Sequence, residues 1–283
     1  MKKSTFYVLA LLFSLLVSSC GASKQTVSRP EEALNWKLGA QSYTFRLFTL
    51  AEALDKIDSC GLRYVEAFPG QTVGAGNSEK FNYTLSSEGK ALVKKLVKEK
   101  GMTLYAFGVT GGKDAAEWEQ IFAFAKEMGI QVITCEPREE HLDIVSALCE
   151  KYNVRAAIHN HPNPSHYWDP EVVLDALKGR SAKMGAAVDV GHWMRSGLDP
   201  VACLKKLEGH IIHSHFKDLN GFGDKKAHDV HWGTGKLPIR EVVAELKRQK
   251  FSGMLSAEYE YNWENNKDDV RTSVANFREL LKE

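Results

Sequence analysis

Residues 184–189 read Met-Gly-Ala-Ala-Val-Asp, a short apolar run that ends in a carboxylate. The same pattern, an apolar run closed by an acidic residue or a histidine, recurs in Ile130-Gln-Val-Ile-Thr-Cys-Glu136, Ile211-Ile-His-Ser-His215 and Gly253-Met-Leu-Ser-Ala-Glu258. Runs of this length, bounded by polar and turn residues, are typical of buried strands in a parallel sheet. Four such ends in succession, separated by helical stretches, predict one site at the C-terminal face of a barrel.

Strand and helix patterns alternate along the rest of the chain. The other predicted strands are Leu38–Tyr43, Arg63–Phe68, Thr103–Gly108 and Arg155–His159. The predicted helices are Leu50–Cys60, Ser87–Lys100, Asp114–Met128, Glu139–Tyr152, two begun by Asp169-Pro170 and Asp199-Pro200, Pro238–Lys250 and Asp268–Leu281. Eight strands alternating with eight helices predict an α/β fold, a single-domain (β/α)8 TIM barrel over residues 35–283. A doubly wound open sheet is the alternative, but it usually has fewer strands and a Gly-rich turn after the first.

The N-terminal residues have the pattern of a secretory signal. Lys2 and Lys3 precede an apolar stretch, Phe6–Val17, that is too short for an ordinary transmembrane helix. The stretch closes with Leu16-Val-Ser-Ser-Cys20, which resembles the lipobox of bacterial lipoproteins. The resemblance implies a signal peptide over residues 1–19, lipidation of Cys20 and a flexible tether over residues 20–34. An ordinary signal peptide with a chance cysteine is the alternative. We therefore expect a lipid-anchored protein of the bacterial cell envelope that faces the periplasm.

Charge and cysteine content exclude some classes of protein. The formal net charge is +1, which gives no basic field for nucleic acid. No cysteine forms a C-x-x-C pair, which argues against a structural zinc site. Cys60, Cys135, Cys149 and Cys203 are expected to be buried free thiols, although one disulfide bridge is open in an oxidising compartment. The expected partners are a small sugar and, through the lipid anchor alone, a membrane; the sequence is also compatible with a homo-oligomer.

The residues at the strand ends suggest a metal site. A buried ionised carboxylate is costly unless it is paired or bound to a metal. Three carboxylates and an imidazole, Glu136, Asp189, His215 and Glu258, suit one divalent ion such as Mn²⁺, Mg²⁺, Co²⁺ or Zn²⁺. An exposed strand end is the alternative for each residue taken alone.

Nine of the ten histidines lie between His159 and His231. In one predicted strand His213, His215 and Lys217 alternate, so they project to the same face. The residues predicted to line a substrate pocket are Glu66, His159, His161, His192, Lys217 and His231. For each histidine the alternative is an ordinary hydrogen-bonded polar residue, and Glu66 could instead pair with a base. Aromatic residues near the strand ends that could stack on a sugar ring, or pack in the core, are Tyr43, Phe45, Phe68, Trp193 and Trp232.

Four short motifs resemble those of the xylose isomerase-like barrels, a superfamily of sugar isomerases and epimerases. They are Val-Asp-Val-Gly-His192, His-Phe-Lys-Asp218, Gly233-Thr-Gly235 and Leu-Ser-Ala-Glu258. The resemblance implies one metal ion held by Glu136, Asp189, His215 and Glu258, a substrate-binding His192, and Lys217 near substrate oxygens. The chain departs from many relatives at His159-Asn160-His161, where they have a Glu-Asn pair, and in its His-rich loop around His228 and His231.

A mechanism follows from this ligand set. The metal would polarise the carbonyl of a keto sugar, and Glu258 or Glu136 would remove the adjacent proton to give an enediolate. Return of the proton gives isomerisation or epimerisation. Loss of a neighbouring substituent makes the enzyme a hydratase or lyase of a 3-keto-glycoside or unsaturated keto sugar. Because the periplasm lacks ATP, a neutral keto sugar is expected rather than a phosphate ester.

Two other functions are compatible with the same fold. One is a non-catalytic sugar-binding lipoprotein that has lost turnover, against which the intact Glu136 and Glu258 argue. The other is an apurinic-site endonuclease, because Asp229-Val-His231 resembles the Asp-x-His of its zinc cluster. Those enzymes also take histidines from the ends of strands two and three, where this chain has Glu66 and Phe107-Gly108.

Overall fold

The computed structural model of the protein describes residues 29–283, and its centre is a closed barrel of eight parallel strands. The strands are β1 Lys37–Gln41, β2 Tyr64–Ala67, β3 Thr103–Thr110, β4 Val132–Cys135, β5 Arg155–His159, β6 Met184–Asp189, β7 Ile211–Phe216 and β8 Met254–Ala257. Each strand pairs with its sequence neighbours, and β8 closes the barrel on β1. The predicted (β/α)8 barrel is therefore confirmed.

Ten α-helices surround or precede the barrel in the described part of the chain. They are α1 Pro30–Ala33, α2 Leu50–Ser59, α3 Ser87–Glu99, α4 Ala115–Met128, α5 Leu142–Tyr152, α6 Pro170–Leu177, α7 Val190–Arg195, α8 Pro200–Lys206, α9 Ile239–Arg248 and α10 Lys267–Leu281. Both Asp-Pro pairs begin helices as predicted: Asp169 accepts the N–H of Glu171, and Asp199 accepts the N–H of Val201. A proline fits the first turn because its missing N–H has no partner there anyway.

The beginning of the described chain corrects one predicted boundary. The predicted tether of residues 20–34 overlaps α1, in which Glu31 is buried and accepts three charge-assisted hydrogen bonds from Arg278 of α10. The C-terminal part of the predicted tether thus belongs to the folded domain. The predicted signal peptide and Cys20 lie outside the described residues.

Several short elements at the C-terminal ends of the strands were not predicted. A 3₁₀ helix, Ser42–Phe45, follows β1, and a two-stranded hairpin, Thr72–Gly74 with Asn77–Lys80, follows β2. Helix α7 follows β6, and a small ladder of Asp218–Leu219 with Asp229–Val230 follows β7. These elements build the walls of the C-terminal face, while the apolar core lies between strands and helices.

The described cysteines Cys60, Cys135, Cys149 and Cys203 are free and buried, as predicted. Burial raises the pKa of the Cys60 thiol to about 11, which keeps it protonated. Between residues 29 and 283, the helices are all too short or too polar to cross a membrane.

Candidate metal centre and active site

Four buried side chains converge at the C-terminal ends of four neighbouring strands. They are His159 of β5, Asp189 of β6, His215 of β7 and Glu258, directly after β8, and one ligand atom from each lies within 4.8 Å of the others. His159 Nε2 is 3.8 Å from Asp189 Oδ2, and His215 Nδ1 is 3.9 Å from the same oxygen. His215 Nδ1 is 3.0 Å from Glu258 Oε2. We call these four residues the ligand group.

The donor atoms of the ligand group fit a divalent cation. His159 Nε2 is a buried atom without a hydrogen-bond partner among the described residues. The two atoms that face it have charged neighbours: Asp189 Oδ2 is 2.8 Å from Lys217 Nζ, and His215 Nδ1 is 3.0 Å from Glu258 Oε2. An unpartnered buried polar atom is unfavourable unless a ligand completes its bonding. Ligands about 2.0–2.2 Å from a common centre lie roughly 3–4 Å apart, which is the spacing observed. The set of two imidazoles and two carboxylates is one that binds divalent metals.

The position of Glu136 corrects the predicted ligand set. Asp189, His215 and Glu258 come together as predicted, but His159 takes the fourth place. Glu136 follows β4, so the strand β5 and its His159 stand between this carboxylate and the ligand group. Glu136 Oε1 is 3.1 Å from His159 Nδ1 and also contacts His161 Nδ1. Although burial acts to raise it, hydrogen bonds from these imidazoles lower the pKa of Glu136 to about 2.

Glu66 lies beneath the ligand group and does not reach the substrate pocket, contrary to its predicted role. Its side chain is fully buried, and its Oε2 is 2.7 Å from His213 Nε2 and 2.9 Å from His215 Nε2. Thr134 Oγ1 donates to its other oxygen at 2.5 Å. Burial opposes ionisation, but the two imidazoles hold the pKa of Glu66 well below its usual range. Glu66 thereby fixes His215 with its Nδ1 turned toward the ligand group.

Lys217 supplies a fully buried positive charge beside the ligand group. Its Nζ is 2.8 Å from Asp189 Oδ2, 2.7 Å from Glu258 Oε2 and 2.6 Å from Glu260 Oε1. Burial acts to lower the pKa of Lys217, but these carboxylates raise it well above its usual value, so the ammonium stays charged. Lys217 was predicted to line the pocket; instead it lies behind the pocket wall and balances the charge of the acidic residues.

A pocket of about 330 Å³ opens above the ligand group. Its polar wall is Gln41, His159, His161, His192, Glu258 and Glu260, and its apolar wall is Tyr43, Phe68, Pro69 and Val109. Three of the four histidines predicted to line the pocket therefore do so, as do two of the five aromatic residues considered. Phe45, Trp193 and Trp232 pack in the core. Gln41 and Glu260 were missed as pocket residues, although each stands at or just beyond a strand end.

Asp189 organises the turn that carries His192 into the pocket. Its Oδ1 accepts the N–H of His192 at 2.8 Å and so begins helix α7. Its backbone is held by Asn160, whose side chain accepts from Asp189 N at 2.8 Å and donates to Asp189 O at 3.0 Å. Burial lowers the pKa of His192 well below its usual value, so this imidazole is neutral at physiological pH. A neutral imidazole can exchange hydrogen bonds with a sugar hydroxyl.

His231 does not reach the pocket, and this corrects its predicted role in binding substrate. Its Nε2 is 2.9 Å from Asp269 Oδ1 of α10. The neighbouring Asp229 is buried and lies 3.4 Å from Arg195. Asp229 and His231 therefore have separate partners, and the zinc-binding Asp-x-His arrangement of an endonuclease does not form here.

Comparison with known proteins agrees with this architecture. A structure of an uncharacterized protein from Parabacteroides distasonis ATCC 8503 is 41% identical and covers 87% of this chain and 99% of its own, with a TM-score of 0.72. D-allulose 3-epimerase from Methylomonas sp. is 10% identical, with coverages of 87% and 98% and a TM-score of 0.69. The probable 3-DHS dehydratase AsbF from Bacillus anthracis is 16% identical, with coverages of 85% and 98% and a TM-score of 0.65.

A search of curated proteins found no match. A family model described as xylose isomerase-like TIM barrel matches residues 54–280, which include the ligand group and most of the barrel. The chain therefore belongs to the xylose isomerase-like TIM barrel family.

Proposed function

We propose that this protein is a metal-dependent isomerase or epimerase of a small neutral keto sugar, acting through an enediolate. The observation that supports this best is the position of Glu258. This carboxylate belongs to the ligand group and also lines the pocket. A group that can remove a proton therefore stands next to a site for a cation that can stabilise the resulting negative charge.

Glu258 is in the deprotonated form that a base requires. Burial acts to raise its pKa, but Lys217 and His215 lower it far below neutrality, so the side chain is a carboxylate at working pH. When bound, the divalent cation supplies Lewis-acid polarisation of the substrate carbonyl. Glu258 then takes the proton from the adjacent carbon, and the electron pair of the broken C–H bond moves to the carbonyl to give the enediolate.

A second proton-transfer group is needed to complete either reaction. We do not propose Glu136 for this role, because it lies behind His159 and is not among the residues that line the pocket. Glu260 is a better candidate because it lines the pocket and is held by Lys217 at 2.6 Å. His161 lines the pocket from the β5 side, three strands away from β8 in the barrel. Proton return from the His161 side supports epimerisation, and return through Glu260 supports isomerisation.

The surroundings of the pocket favour an uncharged substrate. The residues that line it include two carboxylates but no lysine or arginine. The glycine turn Gly233-Thr-Gly235, whose amides could hold a phosphate, is already filled: Asp218 Oδ2 accepts the N–H groups of Gly233 and Gly235, both at 2.9 Å. A side chain on Gly235 would lie 2.2 Å from Asp218 Oδ1, so this turn is fitted to the aspartate. The carboxylates of the pocket and of this turn would repel a phosphate ester.

The structural neighbours support both this reaction and one alternative. One neighbour is named a 3-epimerase and another a dehydratase, and both share the barrel. A dehydratase or lyase needs the same first proton removal, followed by loss of a substituent. A 3-keto-glycoside or unsaturated keto sugar is therefore the second substrate class to be tested.

The decisive experiment is solvent exchange. Metal-loaded protein is incubated in D₂O with neutral ketoses and 3-keto-glycosides, and NMR follows deuterium uptake next to the carbonyl. We expect uptake with the wild type and a loss of about 10²–10⁴-fold in Glu258→Gln. Glu264→Gln, an exposed glutamate of the same loop, is the matched control and should exchange normally.

The outcomes of this experiment separate the candidate functions. Deuterium uptake with an altered configuration or a moved carbonyl supports epimerase or isomerase activity, whereas loss of a substituent supports the lyase. Binding of a sugar with no exchange would identify a non-catalytic sugar-binding protein. Equal exchange in Glu258→Gln and the wild type would remove Glu258 as the base.

We also propose that the protein is held at the bacterial cell envelope by lipid on Cys20. The support is the lipobox-like Leu16-Val-Ser-Ser-Cys20 together with the position of α1, which leads into the N-terminal end of β1. The pocket lies at the opposite, C-terminal face of the barrel. The wild type should incorporate radiolabelled palmitate and sediment with membranes, and Cys20→Ala should do neither.

A further inference from the structure

The two imidazoles of the ligand group are held in matching ways. His215 has one ring nitrogen facing the group, and its other ring nitrogen is 2.9 Å from Glu66. His159 likewise has Nε2 facing the group, and its Nδ1 is 3.1 Å from Glu136. A carboxylate behind a ligating histidine fixes its tautomer and orientation and makes the ligand nitrogen a stronger donor. This arrangement therefore prepares both nitrogens for a metal.

The position of His159 is fixed further by its neighbours in the chain. Asn160 exchanges two hydrogen bonds with the backbone of Asp189, at 2.8 and 3.0 Å, and so joins the end of β5 to the end of β6. This keeps His159 Nε2 at 3.8 Å from Asp189 Oδ2. The imidazole thus supplies a nitrogen donor from a position that the backbone holds firmly.

An imidazole at position 159 sets both the donor atoms and the charge of the site. The ligand group offers two nitrogens and two carboxylates, whereas a glutamate at position 159 would give one nitrogen and three carboxylates. Carboxylate-rich sites suit Mg²⁺ and Mn²⁺, while imidazole donors suit Zn²⁺ and similar borderline ions. A divalent ion and the Lys217 ammonium would together balance three carboxylates, Asp189 and Glu258 of the group and the neighbouring Glu260.

From these contacts we infer that His159, supported by Glu136, makes this centre select Zn²⁺ or Co²⁺ over Mn²⁺ and Mg²⁺. The inference rests on the proposed metal site and specifies the class of ion that it takes. Most protein sites bind Zn²⁺ more tightly than Mn²⁺ whatever their ligands. The informative quantity is therefore the ratio of the two affinities in the wild type compared with that in a variant at position 159.

The test uses metal binding alone, without any activity measurement. Chelator-stripped protein is titrated with Zn²⁺, Co²⁺, Mn²⁺ and Mg²⁺ in competition with a chromophoric chelator, and the shift in melting temperature is recorded for each ion. His159→Glu should lower the Zn²⁺/Mn²⁺ affinity ratio by about tenfold or more, because it puts an oxygen donor in place of the nitrogen. His166→Glu makes the same substitution at an exposed histidine and should leave the ratio unchanged.

The possible failures are distinguishable. If wild type and His159→Glu give the same Zn²⁺/Mn²⁺ ratio, the inference is wrong although the metal site stands. If no ion binds the wild type, the proposed metal site itself fails, and the proposed function fails with it. If circular dichroism shows that His159→Glu does not fold, His159→Gln replaces it; this variant also removes the nitrogen donor and should lower the same ratio.

Discussion

Two glutamate–histidine pairs flank the ligand group, and they differ mainly in their access to solvent. On one side, which we call the sealed side, Glu66, His213 and His215 are 0% exposed. On the other, the open side, the side chain of His161 is 47% exposed and that of Glu136 is 25% exposed. The hydrogen bonding is the same on both sides. Glu66 accepts from His215, Glu136 accepts from His159, and each of these imidazoles turns its other nitrogen toward the ligand group. The comparison shows that one means of orienting a ligand can have very different energetic consequences.

The difference follows from desolvation. A carboxylate removed from water is stable only if its oxygens are fully paired, and Glu66 meets this need with His213, His215 and Thr134. Glu136 has two imidazole partners but retains contact with water, which can replace a lost hydrogen bond. Substitution of Glu66 should therefore lower the free energy of unfolding more than the same substitution of Glu136.

Removal of the Glu66 charge is expected to have the largest effect. Glu66→Gln keeps the shape but leaves three buried donors facing an amide, so the free energy of unfolding should fall by about 3–5 kcal/mol. Loss of the support behind His215 should also weaken metal binding by about 10–100-fold. Urea unfolding of the metal-free protein and chelator competition measure the two effects. Wild-type stability in this variant would show that the sealed pair is not an ion pair at all.

The same substitution on the open side should have a smaller effect that depends on pH. The folded pKa of Glu136 is about 2, below its ordinary value of 4.5, so its stabilisation is complete above about pH 5 and is lost as pH falls toward 2. Glu136→Gln should therefore be less stable than the metal-free wild type by about 1–2 kcal/mol at pH 6 and equal to it near pH 2. Urea unfolding across this range is the measurement, and a difference independent of pH would contradict it.

His161 should give the smallest change in stability and a clear change in substrate binding. Because its side chain is about half exposed, His161→Asn should alter the free energy of unfolding by no more than about 0.5 kcal/mol. It also lines the pocket, so KM for the sugar found by the exchange experiment should rise while metal affinity stays constant. A large loss of stability would mean that the open side is as tightly coupled as the sealed side.

Local sequence patterns identified much of the fold. Short continuous apolar runs located the eight strands, and Asp-Pro caps located the starts of two helices, because these signals depend on residues close together in the chain. The short elements of the C-terminal face were not predicted. Helix α7, for example, begins because Asp189 accepts the N–H of His192, a bond that depends on where the strand ends.

The site was predicted in part for a related reason. Asp189, His215 and Glu258 end neighbouring parallel strands, and such ends must meet at one face of a barrel. Glu136 also follows a strand, but that strand, β4, is separated from β6 by β5. The distinction between Glu136 and His159 depends on which strand lies nearest the ligand group, and no pattern within a single strand contains this information.

The sequence by itself thus determined the barrel, the face that carries the site and three of its four converging side chains. The alternation of apolar strand runs with helical stretches, and the parallel order that it implies, are enough for these features. Only the tertiary structure decided that His159 joins the ligand group, that Glu66 and Glu136 support its imidazoles, and that Lys217 balances its charge. These roles arise from distances between side chains on different strands, and closure of the barrel sets those distances.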